Sequence, residues 1–110
     1  MKPTISYSDF SRLDLRVGSV THAEPIEGTE HLLLLRVDLG DVGERTLVAG
    51  IKKTHDPADL AGKKIIVLVN LEEKEIRGVS SQGMLLAADS EGKPVLLVPE
   101  SEVSSGTIIR

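Results

Sequence analysis

Residues 62–88, GKKIIVLVNLEEKEIRGVSSQGMLLAA, constrain the fold of this chain more than any other stretch. Ile65, Ile66, Val67, Leu68 and Val69 form an unbroken aliphatic run closed by Asn70. Such a run is too short for an independent helix, and its β-branched content suits a strand covered on both faces. Charged residues follow from Glu72 to Arg77, then Gly78-Val79-Ser80-Ser81-Gln82-Gly83, before a second apolar run from Met84 to Ala88. The pattern predicts two buried strands flanking a polar loop bracketed by glycines. Loops presented by rigid strands are common places for binding.

The rest of the chain supplies matching elements. Ser6 stands three residues before Asp9, a helix-start signal, with Phe10 and Leu13 able to pack from that turn. Leu15, Val17 and Val20 mark a first strand whose apolar parity shifts across Gly18-Ser19, as a bulge or sharp coil would produce. Leu33, Leu35, Val37 and Leu39 alternate with Leu34, Arg36 and Asp38 in a half-buried second strand. Gly40-Asp41-Val42-Gly43 predicts a hairpin connection to a third strand over 45–51, with Leu47, Ala49 and Ile51 on one face. Residues 56–62, DPADLAG, carry a capping Asp, a first-turn Pro, an early carboxylate and a closing Gly, the signals of a short helix. Three strands, a short helix and two strands is the order of the OB fold, a five-stranded Greek-key barrel. The expected class is all-β, one domain over 1–110, with the barrel at about 12–88 and a C-terminal extension at 89–110.

Composition narrows the chemistry. A chain of 110 residues has room for one core. No apolar run approaches the roughly 18 residues of a membrane span, and no signal-peptide pattern opens the chain, so a cytoplasmic protein is expected. Cysteine is absent, which removes disulfides and thiolate metal ligands. His22, His31 and His55 lack the spacing of a metal-binding pair. Residues 78–83 do not form a nucleophile elbow, and no phosphate loop or dinucleotide fingerprint occurs. A binding module is expected, not an enzyme, with no cofactor and no metal.

Net charge is −4, from 17 acidic residues against 13 Lys and Arg, so the chain as a whole does not attract phosphate. Tyr7 and Phe10 are its only aromatics, which leaves little for base stacking. Any nucleic-acid binding has to use local charge and shape. Lys52 and Lys53 follow the third strand, Lys63 and Lys64 precede the fourth, and Lys74 and Arg77 lie in the loop before the fifth. Ordinary solvated surface charges would give the same pattern. Ser80, Ser81, Gln82 and the amides around Gly78 and Gly83 could donate hydrogen bonds to phosphate or sugar. Equally, these glycines could serve a turn that needs positive φ.

After Ala88 the apolar residues continue, with Val95-Leu96-Leu97-Val98, Val103 and Ile108-Ile109 between turn signals at Gly92, Pro99 and Gly106. Either this extension folds back as a flap or it joins two copies, and twofold dimers are the commonest oligomers. Leu32 and Leu34, on the outward face of the second strand, need cover too.

Asp14-Leu15-Arg16-Val17-Gly18, Asn70-Leu71, Arg77-Gly78 and Ser81-Gln82-Gly83-Met84 together resemble the stand-alone tRNA-binding domain family. That family occurs as a C-terminal domain or subunit of some methionyl-tRNA synthetases, in the endothelial-monocyte-activating cytokine precursor, and as small free-standing dimers. The resemblance implies an OB barrel, tRNA as partner, a homodimer formed through the extension, and an aminoacyl-tRNA synthetase as a further partner. It implies that Asn70, Arg77, Ser81, Gln82 and Met84 lie in or beside the tRNA region. A chaperone-like branch of the fold, CsaA-like, would instead bind exposed peptides in protein export, and a third alternative is a non-catalytic subunit docking on a synthetase. The chain departs from the family at Glu72, Glu73 and Glu75, where relatives usually carry Pro and basic residues, and near Thr54-His55, where they usually carry Tyr.

Overall fold

The alternation in the second strand is realised in full. Strand β2 (Leu33–Asp38) turns Leu33, Leu35 and Val37 inward, all wholly buried, and Leu39 just beyond it joins them. In this computed structural model, which describes residues 1–110, β2 lies between β1 (Leu15–Pro25) and β3 (Glu44–Ala49) in an antiparallel sheet. The path continues from β1 to β4 (Lys64–Leu68) and then to the short β7 (Met84–Leu85), giving the order β3-β2-β1-β4-β7. Ile65, Val67 and Val69 face the same interior, with Leu47, Ala49, Ile51 and Leu60. This is the all-β OB barrel.

Both predicted helices form at their caps. The Ser6 hydroxyl accepts the Asp9 N–H at 3.0 Å at the start of α1 (Tyr7–Ser11). Asp56 accepts the Ala58 N–H at 3.0 Å ahead of α2 (Pro57–Leu60), where Pro57 occupies the first turn. Leu60 of α2 is buried in the barrel core.

Four sequence expectations change in detail. The bulge in β1 lies between Val20 and His22, not at Gly18-Ser19. Gly18 faces inward beside Val20, and a Cβ there would lie 2.4 Å from Val37 Cγ1 and 2.9 Å from Leu39 Cδ2, so the glycine serves close packing. Val17, on the opposite face, is buried as well, which mimics a parity shift in the sequence. Strand β4 is fully covered on one face only, since Ile66 and Leu68 are half-buried. The run Met84–Ala88 does not make one buried strand. It splits at Leu86 into β7 on the barrel and the exposed β8 (Ala87–Ser90), which pairs with β9 (Lys93–Leu96). The glycine-bracketed polar loop is itself a hairpin, β5 (Lys74–Ile76) with β6 (Val79–Ser81).

Side chains close the barrel where backbone pairing is incomplete. The Gln82 N–H donates to Thr46 O at 2.8 Å, and Gln82 Oε1 accepts the Thr46 N–H at 3.0 Å. Ser81 Oγ accepts the Val48 N–H at 3.0 Å and donates to Gly83 O. A serine and a glutamine thus stand in for a strand along β3.

The C-terminal extension belongs partly to the sheet. Its last strand, β10 (Ile108–Ile109), pairs with Leu15 and Arg16 on the edge of β1 that β2 leaves open. Gly106 and Thr107 exchange backbone hydrogen bonds with Val17. Further back, Lys64 Nζ donates to the Glu102 carboxylate and to Val103 O.

Candidate nucleic-acid interface

The pairing of Gln82 and Ser81 with β3 sets the direction of the β5–β6 hairpin. It runs beside β3 toward the end where the chain enters β2. Its turn, Arg77-Gly78, has φ of 53° and 79°, the doubly left-handed geometry of a type I′ hairpin turn. Glycine adopts this without strain, whereas Arg77 does so at a cost. A strained cation at a hairpin tip is a functional candidate.

Arg77 there meets the loop between β1 and β2. Gly28, Thr29, Glu30, His31, Leu32 and Arg77 line a cleft of about 490 Å³. Lys52 borders it from below, its Nζ donating to Thr29 O at 2.9 Å and its N–H to His31 O at 3.2 Å. The loops joining strands one–two and four–five are the ligand loops of this barrel type. Two cations therefore sit where the fold offers a site, with Glu30 as the one acidic group in the cleft wall.

The other sequence candidates distribute differently. Lys53 is exposed and lines a separate cleft with His55 and Lys93. Lys63 is exposed, and Lys64 is held by Glu102, both away from Arg77 against the extension. Lys74 is exposed at the base of the hairpin, opposite Ser81. Met84 pairs with Leu68 and is 45% exposed.

Asn70 is a fastening between distant segments. Its Oδ1 accepts the Asp14 N–H at 2.8 Å and its Nδ2 donates to Arg12 O at 2.7 Å. Next to it the Arg16 guanidinium donates to both oxygens of Asp14, at 2.8 and 3.3 Å. That hydrogen bond raises the Arg16 pKa above its ordinary value, against the opposing effect of burial. Ser81 is buried and, like Gln82, is engaged with β3. Ser81 and Gln82 thus spend hydrogen bonds on β3 and position the Arg77 hairpin beside it, while Asn70 fastens the segment before β1.

Among the three acidic residues, Glu73 accepts from Ser80 Oγ at 2.9 Å, which ties the hairpin, while Glu72 and Glu75 are exposed. His31 and the carbonyls of the strand one–two loop carry no charge signal. The order of strands, which designates that loop as a ligand loop, was the available clue. No group of three His, Asp or Glu side chains is arranged to hold a metal ion, and no helix is long and apolar enough to cross a membrane.

Comparison with known proteins decides the family. Residues 15–108 match the model described as "Putative tRNA binding domain". The chain belongs to the tRNA-binding domain family. A methionine–tRNA ligase from Methanothrix thermoacetophila is 50% identical over 109 residues, covering 99% of this chain and 16% of that relative. The chain thus spans about a sixth of the length of the curated relative it matches. Two solved structures share this fold over whole chains. A protein from Pyrococcus horikoshii, described as related to methionyl-tRNA synthetase, superposes with a TM-score of 0.92 at 39% identity, covering 99% of this chain and 100% of its own. The chaperone CsaA of Bacillus anthracis gives 0.89 at 36% identity, with coverage of 98% and 100%.

Proposed function

We propose that the chain is a tRNA-binding module that grips folded RNA by its backbone. It acts as a homodimer in the cytoplasm, free-standing or assisting a methionyl-type synthetase in trans, and performs binding without catalysis. The observation that supports this best is that Arg77 and Lys52 both lie against the loop between β1 and β2, Arg77 in the cleft wall and Lys52 bonded to Thr29 O. With only Tyr7 and Phe10 as aromatics, affinity rests on phosphate contacts. Each neutralised phosphate contributes about −0.7 to −0.9 to the slope of log K against log salt.

The test is a titration of tRNA across salt concentrations. Arg77→Ala weakens binding and flattens the slope, and Glu72→Lys with Glu75→Lys tightens binding by up to about tenfold, since exposed charges interact weakly through solvent. Asp41→Lys, in the turn at the far end of β2, changes little. Wild-type affinity in all three variants removes the hairpin from the interface. Equal tightening by Asp41→Lys reduces the effect to net charge.

For the dimer, the support is an apolar surface that the monomer leaves open. Tyr7, Phe10, Leu13, Ile108 and Ile109 line one cleft, and Tyr7, Leu13 and Ile108 are large exposed side chains. Extended apolar patches on a monomer mark interaction surfaces. A second copy is proposed to cover this one. Sedimentation at micromolar concentration is expected to give dimers, and Leu13→Glu with Ile108→Glu to give folded monomers. A folded wild-type monomer excludes the dimer.

A chaperone reading is favoured by one observation, the exposed Val95, Leu97 and Val98 along β9 and its continuation. Suppression of client aggregation by a protein with no measurable tRNA affinity would select it. Docking on a synthetase as a purely structural subunit would instead show as co-sedimentation with the synthetase that no tRNA competes away.

A further inference from the structure

The chain after β3 separates two clefts. Lys52 turns toward the Arg77 cleft, and the next residue, Lys53, lines a second one with Thr54, His55, Lys93, Pro94, Val95 and Leu96. This second cleft measures about 540 Å³, inside the roughly 300–1,000 Å³ usual for small-molecule sites. It differs from the first in charge. Neither Lys53 nor Lys93 has a carboxylate within ion-pair distance, and no acidic side chain lines the walls. In a chain of net charge −4, an unopposed lysine pair in one concavity is a local exception.

The histidine between them has one ring nitrogen open to a ligand. Thr54 Oγ1 stands 2.8 Å from His55 Nδ1 and 3.2 Å from Ile51 O, so Nδ1 is engaged within the chain. No hydrogen bond within the chain occupies His55 Nε2. The wall opposite, with the exposed Val95, is apolar.

Two donors for anionic oxygens, one open imidazole nitrogen and an apolar wall together match a ribonucleotide. We propose that the cleft between residues 53–55 and β9 is a second RNA subsite. Lys53 and Lys93 hold phosphates, and His55 Nε2 hydrogen-bonds a ribose 2′-hydroxyl, which can donate or accept and which distinguishes RNA from DNA. The subsite rests on the tRNA reading above and extends it. The RNA backbone crosses residues 50–55 and is held in both clefts. His55 then sets the preference for ribose, while Lys53, Lys93 and Arg77 contribute affinity.

The test uses the full-length protein with a stem-loop RNA and the same stem-loop made as DNA, followed by fluorescence anisotropy at several salt concentrations. Lys93→Ala is expected to weaken both ligands several-fold and to reduce the salt slope by about 0.7–0.9, the contribution of one phosphate contact. His55→Ala is expected to weaken RNA alone by roughly two- to tenfold, the worth of one hydrogen bond, leaving DNA binding unchanged. Circular dichroism melts confirm that the variants fold. Lys93→Ala with wild-type affinity and slope overturns the subsite while leaving the tRNA reading intact, provided Arg77→Ala still weakens binding. His55→Ala that keeps its full preference for RNA overturns the ribose contact. Wild type that binds neither stem-loop nor tRNA overturns both proposals together. An acidic extended peptide that binds wild type but not Lys93→Ala, without displacing the RNA, reassigns the cleft to protein ligands.

Discussion

Deletion of residues 97–110 is expected to leave a chain that is largely unfolded or insoluble at 25 °C. The removed segment supplies β10, which continues the sheet along β1 at Leu15 and Arg16. It also supplies the hydrogen bonds that Gly106 and Thr107 exchange with Val17. Val17, 3% exposed in the full chain, would face water, at a cost of about 1.5–3 kcal/mol. Each lost backbone hydrogen bond adds about 0.5–1.5 kcal/mol. Lys64, with its side chain 18% exposed, would lose both oxygen partners. Together these losses are comparable with the roughly 5–15 kcal/mol that holds a domain folded. A narrower variant makes the same point. At Gly106, with φ of 88°, a Cβ would lie 2.6 Å from Leu39 O and 3.1 Å from Gly40 Cα. Gly106→Val therefore pushes the extension off the β2–β3 turn, backbone against backbone. Thermal melts followed by circular dichroism check both. A truncated chain that melts cooperatively at the wild-type temperature would show the extension to be an accessory.

The second large effect is expected at the closure of the barrel. Ser81→Ala removes the acceptor of the Val48 N–H, and Gln82→Ala removes that of the Thr46 N–H. A buried donor left unpaired costs about 1–3 kcal/mol, and both donors here are part-buried, so the double variant is expected to lose about 2–4 kcal/mol. Its contrast with Arg77→Ala is diagnostic. The closure variant loses denaturant resistance, and its remaining folded fraction keeps most of its tRNA affinity as long as the hairpin stays in place. Arg77→Ala keeps its denaturant resistance and loses affinity. Equal stability of wild type and the closure double variant would mean that β3 and the hairpin are held by other contacts.

Much of the barrel is legible in the sequence because one-sided burial writes a period of two. Leu33, Leu35, Val37 and Leu39 announce β2, and the caps at Ser6 and Asp56 announce the helices through local hydrogen bonds. What escapes is what depends on partners distant in the chain. Gly18 reads as a bulge because the reason for it, the side chains of Val37 and Leu39, lies on another strand. Met84 to Ala88 reads as one strand because composition does not record that Leu86 is where the chain leaves the barrel for β9. Arg77-Gly78 and Glu91-Gly92 both make doubly left-handed turns, although neither dipeptide is among the strongest hairpin signals. At the site, charge alone finds Arg77, Lys52 and Lys53. Lys63 and Lys64 look the same in sequence, and only folding shows that they lie against the extension while Arg77 meets the strand one–two loop. His55 and Lys93 stand far apart in the chain, so no spacing rule joins them.

The division of labour between fastenings and fingertips has an evolutionary consequence. Asp14, Arg16, Asn70, Ser81 and Gln82 are tied to the chain itself, so a lineage that alters them endangers the whole protein. Arg77, Lys53 and Lys93 form no ion pair within the chain, so drift there leaves the fold intact. Inheritance through such a barrel preserves the knots and leaves the clientele negotiable. Descendants can exchange one kind of cargo for another and still carry the ancestral signature.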